Sequence, residues 1–150
     1  GRDALLIFVG DGPERPALEA AAAASFGRVR LLPLTDELAP LYAAADAFVL
    51  PSTSEGLSNS LLEAMASGLA VVASSVGGTA ETVENGRTGL LFMRDDEAGA
   101  ASCVRRVLDD PAAAANLGAR ARRECETRYA LARVARRCEE LYRDYHGGRP

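Results

Sequence analysis

The 150 residues include 17 basic and 21 acidic side chains and one histidine, for a net charge of −4, with 48% apolar and 25% charged residues. That is ordinary for one globular domain, and a chain this long buries roughly 68–70% of its unfolded surface, enough for a proper core. The longest early apolar run, residues 4–9, is too short to span a bilayer and has no basic lead-in; three cysteines without short spacings make no disulfide framework, one histidine makes no zinc site, and four Phe, four Tyr and no Trp offer no stacking platform for nucleic acid.

From the N-terminus, residues 5–9 read as a buried strand ended by the turn Gly10-Asp11-Gly12-Pro13. Residues 14–25 are Ala-rich and helical. Residues 29–32 read as a second strand, after which Asp36 is expected to cap a short helix through about Ala45. Residues 47–50 make a third strand ended by Pro51, and residues 59–67 a helix. Residues 70–73 form a fourth strand with a Ser/Gly loop behind it. Thr79 is expected to cap a helix of one to two turns stopped by Asn85-Gly86, and residues 89–92 make a fifth strand. From Asp95 onward the pattern is helical, with breaks near Pro111 and Thr127.

Short apolar strands alternating with helices predict the α/β class: a Rossmann-like parallel sheet with crossover helices on both faces. The strands are apolar on both faces, as a sheet covered on both sides requires. One domain over residues 1–150 is expected, with C-terminal helices over 112–150. In such sheets ligands bind beyond the carboxyl ends of the strands. Three loops of unusual composition leave those ends, at 10–13, 51–59 and 74–79.

Charge is unevenly spread. Residues 1–104 carry 6 Arg against 14 acids, and residues 105–150 carry 11 Arg against 7 acids; there is no Lys. The basic tail could meet nucleic acid, an anionic membrane surface or an acidic partner domain, and reads first as a solvated helix face of mixed charge. Leu131, Val134, Cys138, Leu141, Tyr142 and Tyr145 recur on it at helical spacing, which predicts one packed stripe. Cys103, Cys125 and Cys138 are expected as reduced, buried or half-buried thiols of a cytosolic protein.

The chemistry concentrates in one stretch. A strand ends at Pro51, a small polar loop follows, and a helix begins near Asn59. The backbone N–H groups of Leu57, Ser58, Asn59 and Ser60 are then free donors of a first helical turn, an anion site reinforced by the helix dipole. Gly56 lets backbone approach a ligand closely. Glu63, one turn into the helix, lies some 6 Å along the axis from its start and can accept paired hydrogen bonds from neighbouring hydroxyls such as those of a ribose. Glu55 can do the same for a sugar beyond the phosphates. Either glutamate alone reads as a solvated acid; together, in this loop and helix, they read as a grip on ribose, diphosphate and hexose. Gly10-Asp11-Gly12 fails as a dinucleotide fingerprint, because Arg15 stands where the third glycine belongs. There is no Asp-x-Asp pair to bridge a metal to a diphosphate, so no metal and no cofactor are expected.

Glu55 and Glu63 are embedded in Pro51-Ser52…Glu55-Gly56…Leu61-Leu62-Glu63-Ala64-Met65-Ala66-x-Gly68. This resembles the E-x7-E signature of retaining GT-B glycosyltransferases of the group 1, family 4 type. The flanks 10–13, 41–46 and 77–91 resemble the family's in order and spacing, from about Leu5 to Leu108. The resemblance implies that the chain is the C-terminal, donor-binding half of such an enzyme, transferring a hexosyl group from a nucleotide-diphospho-sugar with retention. It assigns the ribose to Glu63, the diphosphate to the amides of Leu57 to Ser60, the donor sugar and its developing positive charge to Glu55 as catalytic residue, and the neighbourhood of the base to Leu34, after Pro33. The acceptor, whether a sugar, a lipid-linked sugar or a small molecule, would be held by an N-terminal domain.

Two departures accompany the resemblance. The family's domain opens with a further strand and helix carrying an Arg and a Lys that neutralise the diphosphate, and Pro33 stands where a Gly is usual. The chain is therefore expected to be a fragment that lacks the first strand and helix and is inactive alone. In a 3-2-1-4-5-6 sheet the lacking strand is the central one. Its neighbours, residues 5–9 and 47–50, must pair directly, accept a strand from another chain, or leave exposed edges, which predicts self-association through an edge or the tail helix, or marginal stability. Two alternatives share the fold: a sugar-nucleotide 2-epimerase, which wants a His near the pocket, and a non-catalytic nucleotide-binding or assembly module.

Overall fold

The computed structural model describes residues 4–147; the ends of the expected 1–150 domain and of its 112–150 helices lie outside them. The element order is β1 (Leu6–Val9), α1 (Arg15–Ala24), β2 (Val29–Leu32), α2 (Ala39–Ala44), β3 (Ala47–Leu50), α3 (Asn59–Ala66), β4 (Ala70–Ser74), α4 (Gly77–Thr82), β5 (Leu90–Phe92), α5 (Glu97–Asp109), α6 (Pro111–Glu124), a π-helical turn (Cys125–Tyr129) and α7 (Leu131–Gly147). This is the α/β alternation expected of the sequence. The chain divides into two compact units, residues 1–41 and 42–150.

In the first unit β1 and β2 pair in parallel, from Leu6 opposite Val29 to Val9 opposite Leu32, with α1 as the crossover. The turn after β1 is closed by Arg15, whose guanidinium donates to the Gly10 carbonyl at 3.0 Å and to Glu19 at 2.9 Å. That is a strand-ending turn, as the failed fingerprint implied. β1 is not buried as expected: Leu6 and Ile7 are 43% exposed.

The second unit holds the main core. β3, β4 and β5 form a parallel sheet in that order. Every residue of β4 is buried, and its side chains alternate between two clusters. Val71 and Ala73 pack with Leu61, Ala64, Met65, Val83, Ala121 and Cys125. Ala70 and Val72 pack with Leu90, Phe92, Cys103, Val107 and Ala114. The two-residue period of a strand thus gives β4 one apolar face for α3 and the second half of α6, and another for α5 and the start of α6. Within the described residues β1 pairs only with β2, and β3 only with β4.

α3 ends in a left-handed glycine, Gly68, at φ +79°. The Leu69 amide donates to the Ala64 carbonyl at 3.1 Å and the Gly68 amide to that of Met65 at 3.0 Å, which satisfies the last carbonyls and turns the chain into β4. Two helix starts differ from expectation. α2 begins at Ala39 rather than directly after Asp36. Thr79 does not cap α4: the helix starts at Gly77 after Val76, and the Thr79 side chain is buried inside it, its hydroxyl without a partner. Glycine tolerates the φ of +41° at Gly77, so the helix starts three residues earlier than a Thr79 cap would place it.

Cys103 and Cys125 are buried, whereas Cys138 is exposed, against the expectation that all three would be covered. Burial pushes the Cys125 thiol up, helped by Glu124 and Glu126, so it stays protonated and donates to the Leu62 carbonyl at 3.4 Å. On the tail, Arg122 pairs with Glu126, Arg128 with Glu124, and Arg143 with Glu139, each one helical turn apart. This is the mixed-charge solvated face. The apolar stripe of α7 is exposed among the described residues, with Leu131 82% and Tyr142 69% accessible, so it is not packed on its own domain. No helix among the described residues is long and apolar enough to cross a membrane.

Candidate functional site

The loop between β3 and α3 and the loop between β4 and α4 leave neighbouring strand ends and lie against each other, as parallel pairing of β3 with β4 dictates. α3 starts from Ser58, whose backbone is extended and whose hydroxyl accepts from the Leu61 amide at 3.4 Å and shares a 3.0 Å hydrogen bond with the Ser60 hydroxyl. Among the described residues the N–H groups of Leu57, Ser58, Asn59 and Ser60 make no hydrogen bond. Leu57 is 56% exposed and Asn59 is also exposed, whereas Ser60 is half-buried and Ser58 buried. Unpaired first-turn amides of this kind are the donors that helix starts offer to anions.

Glu55 is half-buried and held at both ends. Its carboxylate accepts from the Ser52 hydroxyl at 2.9 Å, and its carbonyl accepts from the Gly78 amide at 3.0 Å. Ser74, at the end of β4, donates in turn to the Ser52 carbonyl at 2.5 Å. The loop therefore rests on the β4–α4 connection. The contact is backbone on backbone: a Cβ on Gly77 would run into the Glu55 carbonyl, and one on Gly78 into the Gly56 carbonyl. Gly56 is the opposite case. A Cβ there meets nothing within 4 Å and the backbone is not left-handed. The fold itself does not need glycine at 56.

Glu63 stands exposed on α3, and the Tyr42 hydroxyl donates to its Oε2 at 3.1 Å. The Ser60 carbonyl lies 3.4 Å from the same hydroxyl. The Tyr42 ring meets Phe48 edge-on, with centroids 6.1 Å apart. Burial, the hydrogen bond to Glu63 and its charge push the phenol from 10.0 up to about 12. The folded value is the higher one, so this stabilisation is fully present below about pH 10 and is lost as pH rises through about 12. With no Trp to overlap, the tyrosinate absorbance of the native chain should contain a component rising near pH 12 that is missing in Tyr42→Phe.

Glu55, Gly56, Leu57, Ser58, Asn59, Ser60 and Glu63 thus share one loop–helix unit. Leu34 belongs to the other unit, on the loop after β2, and is 77% exposed. Reasoning from sequence missed Tyr42, Ser52, Ser74 and Gly78. The Gly77-Gly78 pair was the available signal, since adjacent glycines just past a strand mark close backbone approach; Tyr42 lay in the 41–46 flank, but nothing in the sequence paired it with Glu63. His146 lies in the last turn of α7, and no cluster of three metal-ligating side chains occurs among the described residues.

The sequence pattern of the Glycosyl transferases group 1 family matches residues 1–110. Among curated relatives, a 2-deoxystreptamine glucosyltransferase of Streptomyces kanamyceticus is 41% identical over 117 residues, which is 75% of this chain and 30% of the relative. Among solved structures, a sucrose-phosphate synthase from Thermosynechococcus elongatus superposes with a TM-score of 0.85 at 33% identity, over 96% of this chain and 39% of that one. Anabaena HepE in complex with UDP superposes with a TM-score of 0.87 at 25% identity, over 94% of this chain and 41% of that one. The chain therefore spans well under half the length of these relatives. With the family pattern running through both glutamates and the loop that carries them, the chain belongs to the group 1 glycosyl transferases and has the α/β fold of the donor-side half of GT-B enzymes.

Proposed function

We propose that this domain binds a nucleotide-diphospho-sugar and serves retaining glycosyl transfer to an acceptor held by another domain of the intact protein. The observation that carries the reading is the row of four unpaired amides at the start of α3, set between Glu55 and Glu63. A diphosphate accepts from those amides, and the charge growing on it as the sugar leaves is stabilised by donors already oriented. Glu63 accepts from the ribose hydroxyls. Glu55, fixed by Ser52, holds donor-sugar hydroxyls and offsets positive charge at the anomeric carbon. In the reaction the bond from that carbon to the diphosphate oxygen breaks, a bond to an acceptor hydroxyl oxygen forms on the same face, and the acceptor proton passes to the departing diphosphate oxygen. No metal takes part.

UDP is the first nucleotide to try, because HepE was solved with UDP and with UDP-glucose. The acceptor is a sugar, a lipid-linked sugar or a small molecule. An odd cysteine count without short spacings supports a reducing, cytoplasmic setting. A 2-epimerase would want a histidine on the loop–helix unit, and the one histidine of this sequence, His146, belongs to α7.

The test is a thermal melt with UDP, GDP and ADP, beside Glu63→Ala. A nucleotide present at a hundred times its dissociation constant stabilises by about 2.7 kcal/mol, which raises the melting point by roughly 5–10 °C. One nucleotide should give that shift, and Glu63→Ala should weaken its binding about tenfold or more. Equal shifts in the variant and the wild type would remove Glu63 from the site, and no shift with any nucleotide in the intact protein would overturn the reading.

A further inference from the structure

Glu63 is a solvent-facing carboxylate on a helix, a group that ordinarily samples several rotamers. Here one of its oxygens is claimed. Tyr42, 21 residues earlier, donates to Oε2 at 3.1 Å, while Oε1 makes no hydrogen bond among the described residues. The tyrosine is itself anchored: it is part-buried, its ring is edge-on to Phe48, which packs against the core of the second unit, and its hydroxyl has the Ser60 carbonyl as a second neighbour. An aromatic side chain with two rotatable bonds makes a stiff strut at low entropic cost.

We propose that Tyr42 is a positioning residue for ribose recognition: by donating to Oε2 it holds the Glu63 carboxylate in one orientation, with Oε1 and the remaining lone pairs of Oε2 presented to the vicinal hydroxyls of a nucleoside diphosphate. The inference rests on the reading of Glu63 as the ribose-binding group. It adds that discrimination for ribose depends on the phenol hydroxyl as well as on the carboxylate. Without the strut the carboxylate must lose rotamer freedom when the nucleotide arrives, and that cost falls on binding. It does not fall on bond making, because Tyr42 reaches the ligand only through Glu63. The hydroxyl donates a single proton, and the charged carboxylate is the nearer and stronger of its two acceptors.

The experiment measures affinities of the intact protein for UDP, GDP and ADP and for the 2′-deoxy form of each, in wild type, Tyr42→Phe and Glu63→Ala. Tyr42→Phe keeps the ring and its packing on Phe48, so its melting point should stay within about 2 °C of wild type. The wild type should prefer the ribonucleotide. Tyr42→Phe should weaken ribonucleotide binding about threefold to tenfold and leave the 2′-deoxy form nearly unchanged, closing most of the gap that Glu63→Ala closes. In a turnover assay the donor KM should rise by the same factor with kcat within about twofold. A purely structural role would lower the melting point and both affinities together. If Tyr42→Phe keeps the wild-type preference while Glu63→Ala loses it, the strut is refuted and the ribose assignment stands. If wild type and Glu63→Ala discriminate alike, or no nucleotide binds, the ribose assignment fails and the strut with it.

Discussion

Gly78→Ala is expected to weaken nucleotide binding at least about tenfold and to lower the unfolding free energy by about 1–3 kcal/mol. The added methyl group would strike the carbonyl oxygen and carbon of Gly56 and crowd the Leu57 amide nitrogen. These are backbone atoms, so no rotamer change relieves the clash. Either α4 backs away and the 3.0 Å bond from the Gly78 amide to the Glu55 carbonyl is lost, or residues 55–57 shift with the amides of Leu57 to Ser60 behind them. Both outcomes move the helix start relative to Glu55, and a displacement of about 1 Å at such a site costs up to a hundredfold. Gly56→Ala is the control, because its Cβ has open space and its backbone suits alanine. It should melt as wild type or slightly higher, and lose affinity only through the ligand. Nucleotide titration and denaturant melts of the two variants separate loop support from ligand approach. Wild-type affinity in Gly78→Ala would show that the β4–α4 connection does not set the loop.

Gly118→Ala should give the largest loss of stability and leave the site intact. Gly118 is buried on α6, and a methyl group there would run into the carbonyl oxygen and carbon of Gly68 and press on the Leu69 carbonyl carbon. Those atoms belong to the turn that ends α3 and leads into fully buried β4. The turn is held by its own two hydrogen bonds and by left-handed Gly68, so α6 has to retreat, opening the cluster shared by Ala121, Met65 and Val71. Overpacking against backbone costs about 2–4 kcal/mol, which lowers the melting point by roughly 5–15 °C. Nucleotide affinity of the folded fraction should stay within about twofold, because the start of α3 is held by Ser58 and Ser60 and not by its far end. An unchanged melting point would mean that α6 can slide on the turn.

Much of this was legible from local pattern. The mostly apolar segment at 29–32, interrupted by Arg30, and the apolar run at 47–50 are the strands β2 and β3, residue for residue, because a short apolar block between helical stretches has the length of a parallel strand. The loop after Pro51 showed its chemistry for a similar reason: a strand end, a glycine and a helix start within nine residues fix where free amides must fall. The resemblance carried by Glu55 and Glu63 rests on the same short stretch, and the family match includes it.

The rest depended on what the chain folds against. Thr79 looked like a helix cap because threonine commonly is one, but Gly77 and Gly78 let α4 begin earlier, against the Glu55 loop, and carried Thr79 into the core. β1 looked buried because Leu6, Ile7 and Val9 are apolar; hydropathy states what a residue favours, whereas coverage depends on what else reaches it, and here β2 is its one paired neighbour among the described residues. Composition and short-range spacing therefore determined the fold class, the order of elements and the loop that bears the donors. Only tertiary structure joined Tyr42 to Glu63, Ser74 to Ser52 and Gly78 to Glu55, contacts that span 21, 22 and some 23 residues. Parallel strands with helical crossovers bring distant loops to one edge, and no local periodicity records which side chains meet there.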